Sequence, residues 1–294
     1  MKKIGLSMSP VRRRYGWERA MEICKKSGFD AIDFNLECYN VDDEIYGGSE
    51  DAFLFHFTKI KEKAKELELE ISQTHGRCRT YLPDDEENRE WFHRVAELDL
   101  KATSVLGSPA CVQHFINNTR WGVRSPEELR AVSCDMFANI VPYAEKYQTK
   151  IALETFGAAR VKGERIRDFF ADPYELKKQF EAMNTAYKTI CVDTGHTHEA
   201  ESFWVPPPEE TIRILGKDIS ILHLHDNTGH WDDHLIPGMG NINWPGVFDA
   251  LDEVGYSGVY NCELRLDFYG NMLEEAVGFI GRYMRKFVDE HGSI

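Results

Sequence analysis

A chain of 294 residues, 42% hydrophobic and 29% charged, has an ordinary globular composition and enough length for one large α/β core. Lys and Arg number 35 against 49 Asp and Glu, and the resulting formal charge of −14 argues against phosphate backbones and anionic lipid as partners. No apolar run reaches the ~20 residues of a membrane span, the seven cysteines form no Cys-x-x-Cys pair, and Met1-Lys2-Lys3 leaves no room for a signal-peptide core, so a cytoplasmic protein with reduced thiols is expected.

Short β-like runs alternate with helix-spaced stretches along the whole chain. A strand over 3–8 leads to a helix over 17–27, which Gly28 ends before a strand over 31–36. A helix over 53–67 precedes a strand over 70–75, and a helix over 91–106 precedes a strand over 110–115. Ser125-Pro126-Glu127-Glu128 supplies a cap, a first-turn proline and a capping-box glutamate for a helix over 126–147. Strands follow over 150–154, 189–193 and 219–225, with Asp172-Pro173 and Asn243-Trp244-Pro245 as further helix starts. A helix over 245–254, a strand over 258–264 and an amphipathic closing helix over 271–290 complete the pattern. Eight strands alternating with helices predict a single (β/α)8 barrel, a TIM barrel, spanning 1–294, with an open doubly wound sheet as the alternative.

The chemistry collects at strand ends. Of eleven histidines, six (His196, His198, His223, His225, His230 and His234) fall within 39 residues. Glu154, Asp193, His225 and Glu263 close strands five to eight. Alternation puts Glu154 on the face of Ala152, Asp193 with Cys191, His225 with His223 and Ile221, and Glu263 with Asn261. The bulkier apolar residues take the opposite face and can pack against the outer helices, leaving the polar set to point inward. Working residues of such barrels sit at the C-terminal strand ends. Two Glu, one Asp and one His aimed at one point form an O/N donor set suited to one divalent ion, Mn²⁺, Co²⁺, Mg²⁺ or Zn²⁺. Hydrogen-bonded strand-end residues that share no ligand are the bland alternative. It fits one such residue better than four at consecutive strands, because buried ionisable groups are rarely unpaired.

Other residues admit two readings each. His75 ends strand three facing inward, as a substrate contact or a structural histidine. Asp33, Asn35 and Glu37 share one parity of strand two. His223 reads as support one layer below His225, and His198 as solvent-facing. Arg77, Arg79 and Arg265 follow strand ends and suit a substrate anion, a surface ion pair being the simpler reading for Arg79. Trp204 and Trp231 suit stacking on a ligand, closing a lid or contacts in a homo-oligomer.

The motifs Ala152-Leu153-Glu154-Thr155, Val192-Asp193-Thr194-Gly195-His196 and His223-Leu224-His225-Asp226-Asn227 resemble those of the xylose-isomerase-like superfamily, often called the sugar phosphate isomerase/epimerase family. So does the run from Asp232 through Pro237-Gly238-Met239-Gly240-Asn241-Ile242-Asn243-Trp244. The resemblance covers the C-terminal half; the N-terminal half shares only the strand–helix rhythm. It implies a metal held by Glu154, Asp193, His225 and Glu263, with Glu154 and Glu263 on opposite sides of a small carbohydrate. One glutamate would remove a carbon-bound proton to give an enediolate, and the other would return it. His196, His75, Asp232, His234, Arg265 and Trp231 are the expected substrate contacts. Trp231 stands where the epimerase pattern has arginine, which leaves a lyase or dehydratase using the same enediolate as an alternative. Asp232-x-His234 matches the pair that holds an additional zinc in endonuclease-IV relatives. A full three-zinc set needs a histidine at the end of strand four, where His114 is read as a poor match. The charge of −14 also weighs against DNA. A non-catalytic sugar-binding barrel is a further alternative, disfavoured by the two glutamates.

Overall fold

The computed structural model describes residues 1–115, 125–161 and 163–292. Along the chain run β1 (Ile4–Ser7), β2 (Ala31–Asn35), β3 (Glu70–His75), β4 (Ala110–Gln113) and β5 (Lys150–Glu154). An antiparallel hairpin of β6 (Ala158–Val161) and β7 (Glu164–Arg167) follows, then β8 (Lys188–Asp193), β9 (Ile219–His223) and β10 (Tyr260–Cys262). The eight strands outside the hairpin pair in parallel in the order β10-β1-β2-β3-β4-β5-β8-β9. The ring closes just beyond β9, where Leu224 N donates to Asn261 O at 2.8 Å and Glu263 N donates to Leu224 O at 3.2 Å. The fold is a TIM barrel.

The α-helices among the described residues are α1 (Ser9–Tyr15), α2 (Trp17–Lys26), α3 (Glu50–Glu66), α4 (Glu86–Leu106), α5 (Pro126–Tyr147), α6 (Pro173–Ala182), α7 (Thr194–Ala200), α8 (Pro208–Leu215), α9 (Trp244–Glu253) and α10 (Leu273–Asp289). Strands β3 and β5 and helix α5 have the bounds that the sequence predicts. The capping box at α5 is complete: Ser125 Oγ accepts from Glu128 N at 3.2 Å, and Ser125 N donates to the Glu128 carboxylate at 2.8 Å. No helix among the described residues is long and apolar enough to cross a membrane.

Alternation along the strands builds two separate apolar regions. Ile151, Leu153, Ile190, Val192, Leu222, Leu224 and Cys262 join the large core between sheet and helices. Ala110, Val112, Ala152, Cys191 and Ile221 form a second, small cluster inside the barrel. This inner layer of modest side chains is the floor on which the strand-end residues stand. Its burial removes water from beneath them and stiffens their backbones.

Candidate active site

Glu154 ends β5 and is buried directly above Ala152. Its two oxygens take two imidazoles: His223 Nδ1 donates to Oε1 at 2.6 Å, and His114 Nε2 lies 2.7 Å from Oε2. The same His223 Nδ1 is 3.3 Å from Glu263 Oε2, while its Nε2 is 3.4 Å from Asp33 Oδ2. His75 Nε2 stands 3.7 Å from Glu263 Oε1. A deep donor group of His75, Glu154, His223 and Glu263 results, with ligand atoms all within 4.8 Å of one another.

A second group lies toward the rim. Asp193 ends β8 and caps α7, its Oδ1 accepting from His196 N at 2.7 Å, so the turn Asp193-Thr194-Gly195-His196 fixes carboxylate and imidazole together. His225 Nε2 faces Asp193 Oδ1 at 2.9 Å and Asp232 Oδ1 at 3.5 Å, and its ring stacks on His234 with centroids 4.0 Å apart. His196, His225, Asp232 and His234 also bring ligand atoms within 4.8 Å of one another, and Glu154, Asp193 and His196 form a third such set linking the two.

The four residues that sequence reasoning groups as ligands are therefore divided. Glu154 and Glu263 meet in the deep group, whereas His225 belongs with the rim. His223, the last residue of β9, pairs along the backbone with Asp193, and its Nδ1 reaches both glutamates, at 2.6 Å and 3.3 Å. His225 sits one inward position higher. His223 is thus a direct partner of both glutamates rather than support from below.

His114, read as a poor match, is buried against Glu154; it shares parity with Ala110 and Val112 of the inner cluster, a signal that strand four offered. His198 also departs from expectation. It does not face solvent freely but bridges Glu201 and Asn241, each at 2.6 Å. Arg79 forms no ion pair among the described residues; its guanidinium lies 3.8 Å from the Trp91 ring centroid.

Three imidazoles use Nδ1 on backbone carbonyls: His75 on Gly76 O at 3.1 Å, His196 on Thr155 O at 3.0 Å and His234 on Glu263 O at 2.9 Å. Each then turns Nε2 toward a carboxylate. A neutral ring so held presents a lone pair to an anion, which is repulsive unless the ring is protonated or a cation lies between. No lysine or arginine among the described residues contacts Glu154, Glu263 or Asp193. Burial alone would lift the Glu154 carboxyl, but His223 and His114 override it and hold it well below the usual range. Burial opposes protonation of His234, yet Asp232 raises it to about 9. His196 and His223 rise well above the ordinary imidazole value, with burial opposing and Asp193 and Asp232, or Cys191 and the glutamates, raising them. Protonated rings would balance these carboxylates, and a divalent cation supplies the same charge to the same donors, so the residues fit a metal.

The loop bearing Asp232 and His234 is tied to Asp226, whose carboxylate accepts from Gly238 N at 2.9 Å, Ile242 N at 3.3 Å and Trp244 Nε1 at 2.8 Å. A Cβ on Gly240 would collide with Asp226 and Asn227, so this close approach requires glycine.

Above the donors opens a cavity of about 590 Å³ whose lining includes His75, His114, Glu154, His196, Asp232, His234, Glu263, Arg13 and Arg265. The substrate contacts expected from sequence thus share its wall, with one exception. Trp231 is 55% exposed and is not part of the lining.

The model of the xylose isomerase-like TIM barrel family matches residues 21–281. The chain belongs to that family. Among curated relatives, inosose isomerase of Bacillus subtilis is 29% identical over 158 residues, 51% of this chain and 53% of that protein. The chain spans about half the length of the curated relatives it matches. Among solved structures of the family's fold, a D-tagatose 3-epimerase-like protein is 23% identical, with a TM-score of 0.72 over 99% of both chains. The IOLI protein with a bound zinc atom is 19% identical, with a TM-score of 0.77 over 100% of both.

Proposed function

We propose that this family member is a divalent-metal-dependent isomerase or epimerase of a small carbohydrate, acting by proton transfer at a carbon beside a carbonyl. The observation that carries the reading is the meeting of Glu154 and Glu263 across one imidazole, 2.6 Å and 3.3 Å from His223 Nδ1, at the floor of the cavity. Two carboxylates presented to one small volume are what removal and return of a carbon-bound proton require. The isomerase and epimerase-like relatives agree with this chemistry.

In this reading Glu154, Glu263 and His223 hold the ion, with Asp193 beside Glu154 and His75 beside Glu263. A cation held there would supply polarisation of a substrate carbonyl and charge for the carboxylates. His196, Asp232 and His234 orient substrate hydroxyls, and the barrel walls keep water from the exchanging proton. Glu154, with both oxygens engaged by His223 and His114, is the more constrained carboxylate. Glu263 is less enclosed and is the one placed to move a proton first. Elimination of a β-substituent from the same carbanion remains the sister reaction, distinguished by product mass.

The test is incorporation of solvent deuterium into a panel of ketoses, aldoses, inososes and their phosphates, with metal counted by mass spectrometry. The expected outcome is exchange with one ion per chain. Glu263→Gln should reduce exchange by about 10²–10⁴-fold while retaining the sugar. No exchange across the panel refutes the reading.

A phosphodiester hydrolase is the second reading. It is favoured by His114 on Glu154 and by the Nε2 atoms of His196 and His234 turned toward Asp232, at 3.6 Å and 3.0 Å. Two or three ions per chain with cleavage of a phosphodiester would establish it; the net charge of −14 weighs against a DNA substrate.

A further inference from the structure

Beside the catalytic cavity lies another of about 470 Å³, and the two share Glu37 and Cys78 as a common wall. Its remaining lining includes Asn40 and Asp42 from the loop after β2, Arg79 from the loop after β3, and Trp91 of α4. Glu37 is fixed in the shared wall because its Oε1 accepts from Cys78 N at 2.9 Å. Arg79 Cζ stands 3.8 Å from the Trp91 ring centroid and Arg77 Cζ 5.6 Å from it, a cation–π contact on this side of the cavity. Among the described residues neither the Arg79 guanidinium nor the Asp42 carboxylate has a hydrogen-bond or ion-pair partner.

Among the described residues this wall offers an unengaged donor fork and an unengaged acceptor pair beside the Arg79–Trp91 stack. Its charges are matched, Arg77 and Arg79 against Glu37 and Asp42, and Arg77 is occupied by Tyr39 O and Asn40 Oδ1. A phosphate or carboxylate would gain little from such a balanced set. A neutral ring bearing several hydroxyls fits it, since each hydroxyl both donates and accepts and the C–H face needs a flat apolar surface. The volume is within the range that encloses a small ligand.

We infer that the substrate is a two-part carbohydrate: the reacting unit occupies the catalytic cavity, and a second, neutral sugar ring occupies the adjoining one, held by Arg79, Asp42 and the Arg79–Trp91 face. The inference rests on the reading of the first cavity as a sugar site. It adds that a glycoside or disaccharide is preferred to a monosaccharide.

Isothermal titration of the zinc-loaded full chain with glucose, maltose, cellobiose and trehalose tests this without requiring turnover. At least one disaccharide should bind ten-fold or more tightly than glucose. In Arg79→Ala and in Asp42→Ala, both at exposed positions, that advantage should shrink at least five-fold while glucose affinity is unchanged. If no disaccharide outbinds glucose, or the advantage survives both substitutions, the second subsite does not exist. Because the readout is binding, absence of deuterium exchange would count against the catalytic reading alone and leave this result standing.

Discussion

Gly195 offers a way to disturb the rim group without altering any donor. An added Cβ would lie no more than 2.5 Å from three atoms of the His225 ring, where ordinary contact begins near 3.4 Å. The backbone of Gly195 is helical, within α7, so alanine there carries no conformational penalty and would by propensity alone stabilise by about 1 kcal/mol. The ring must instead withdraw by roughly 1 Å or more. That stretches the 2.9 Å contact from His225 Nε2 to Asp193 beyond hydrogen-bond range, in a pair with no solvent exposure. Breaking a buried pair of this kind costs about 3–5 kcal/mol. Net of the helical gain, Gly195→Ala should destabilise the metal-free chain by about 2–4 kcal/mol, or roughly 3–6 °C in melting temperature for a chain of 294 residues. Calorimetry of metal-free protein gives the stability. A variant that melts at or above the parent temperature would show that His225 is not packed against Gly195 as described.

Two other outcomes follow from buried carboxylates. Asp33→Ala removes the group 3.4 Å from His223 Nε2 and should weaken metal binding by about 10–100-fold, read by competition with a fluorescent chelator; unchanged affinity would mean that Asp33 does not orient His223. Asp99 is buried, which lifts its carboxyl to about 6 even though Tyr46 OH donates to it at 2.7 Å. With the folded value above the unfolded one, its contribution is complete below about pH 4 and disappears as pH rises through 6, a difference of roughly 3 kcal/mol. Asp99→Asn should therefore gain several degrees in melting temperature over the parent between pH 5 and pH 8. A pH-independent gap would contradict the assignment.

What the sequence disclosed follows the strength of its periodic signals. Strand parity foretold the inner cluster, because Ala152, Cys191 and Ile221 alternate with bulky Ile151, Leu153, Val192 and Leu222. Capping residues marked α5 because their chemistry is local. The hairpin of β6 and β7 escaped notice, since its strands pair with each other rather than with the barrel and β7 carries no buried residue. His114 is harder to read because it lies one residue past the end of its strand and no motif surrounds it, although it shares parity with Ala110 and Val112. Choosing between His223 and His225 depended on where β9 stops, and a two-residue uncertainty there moves the imidazole by one layer.

The anchoring of the Asp226 loop bears on how relatives should be sorted. The Pro237–Trp244 run, the most recognisable stretch of the chain, is spent largely on satisfying one hidden carboxylate and on letting Gly240 pass close to the backbone. It transmits position, not preference. Its conformation fixes where Asp232 and His234 stand, whereas the lining of the adjoining cavity comes largely from the loops after β2 and β3.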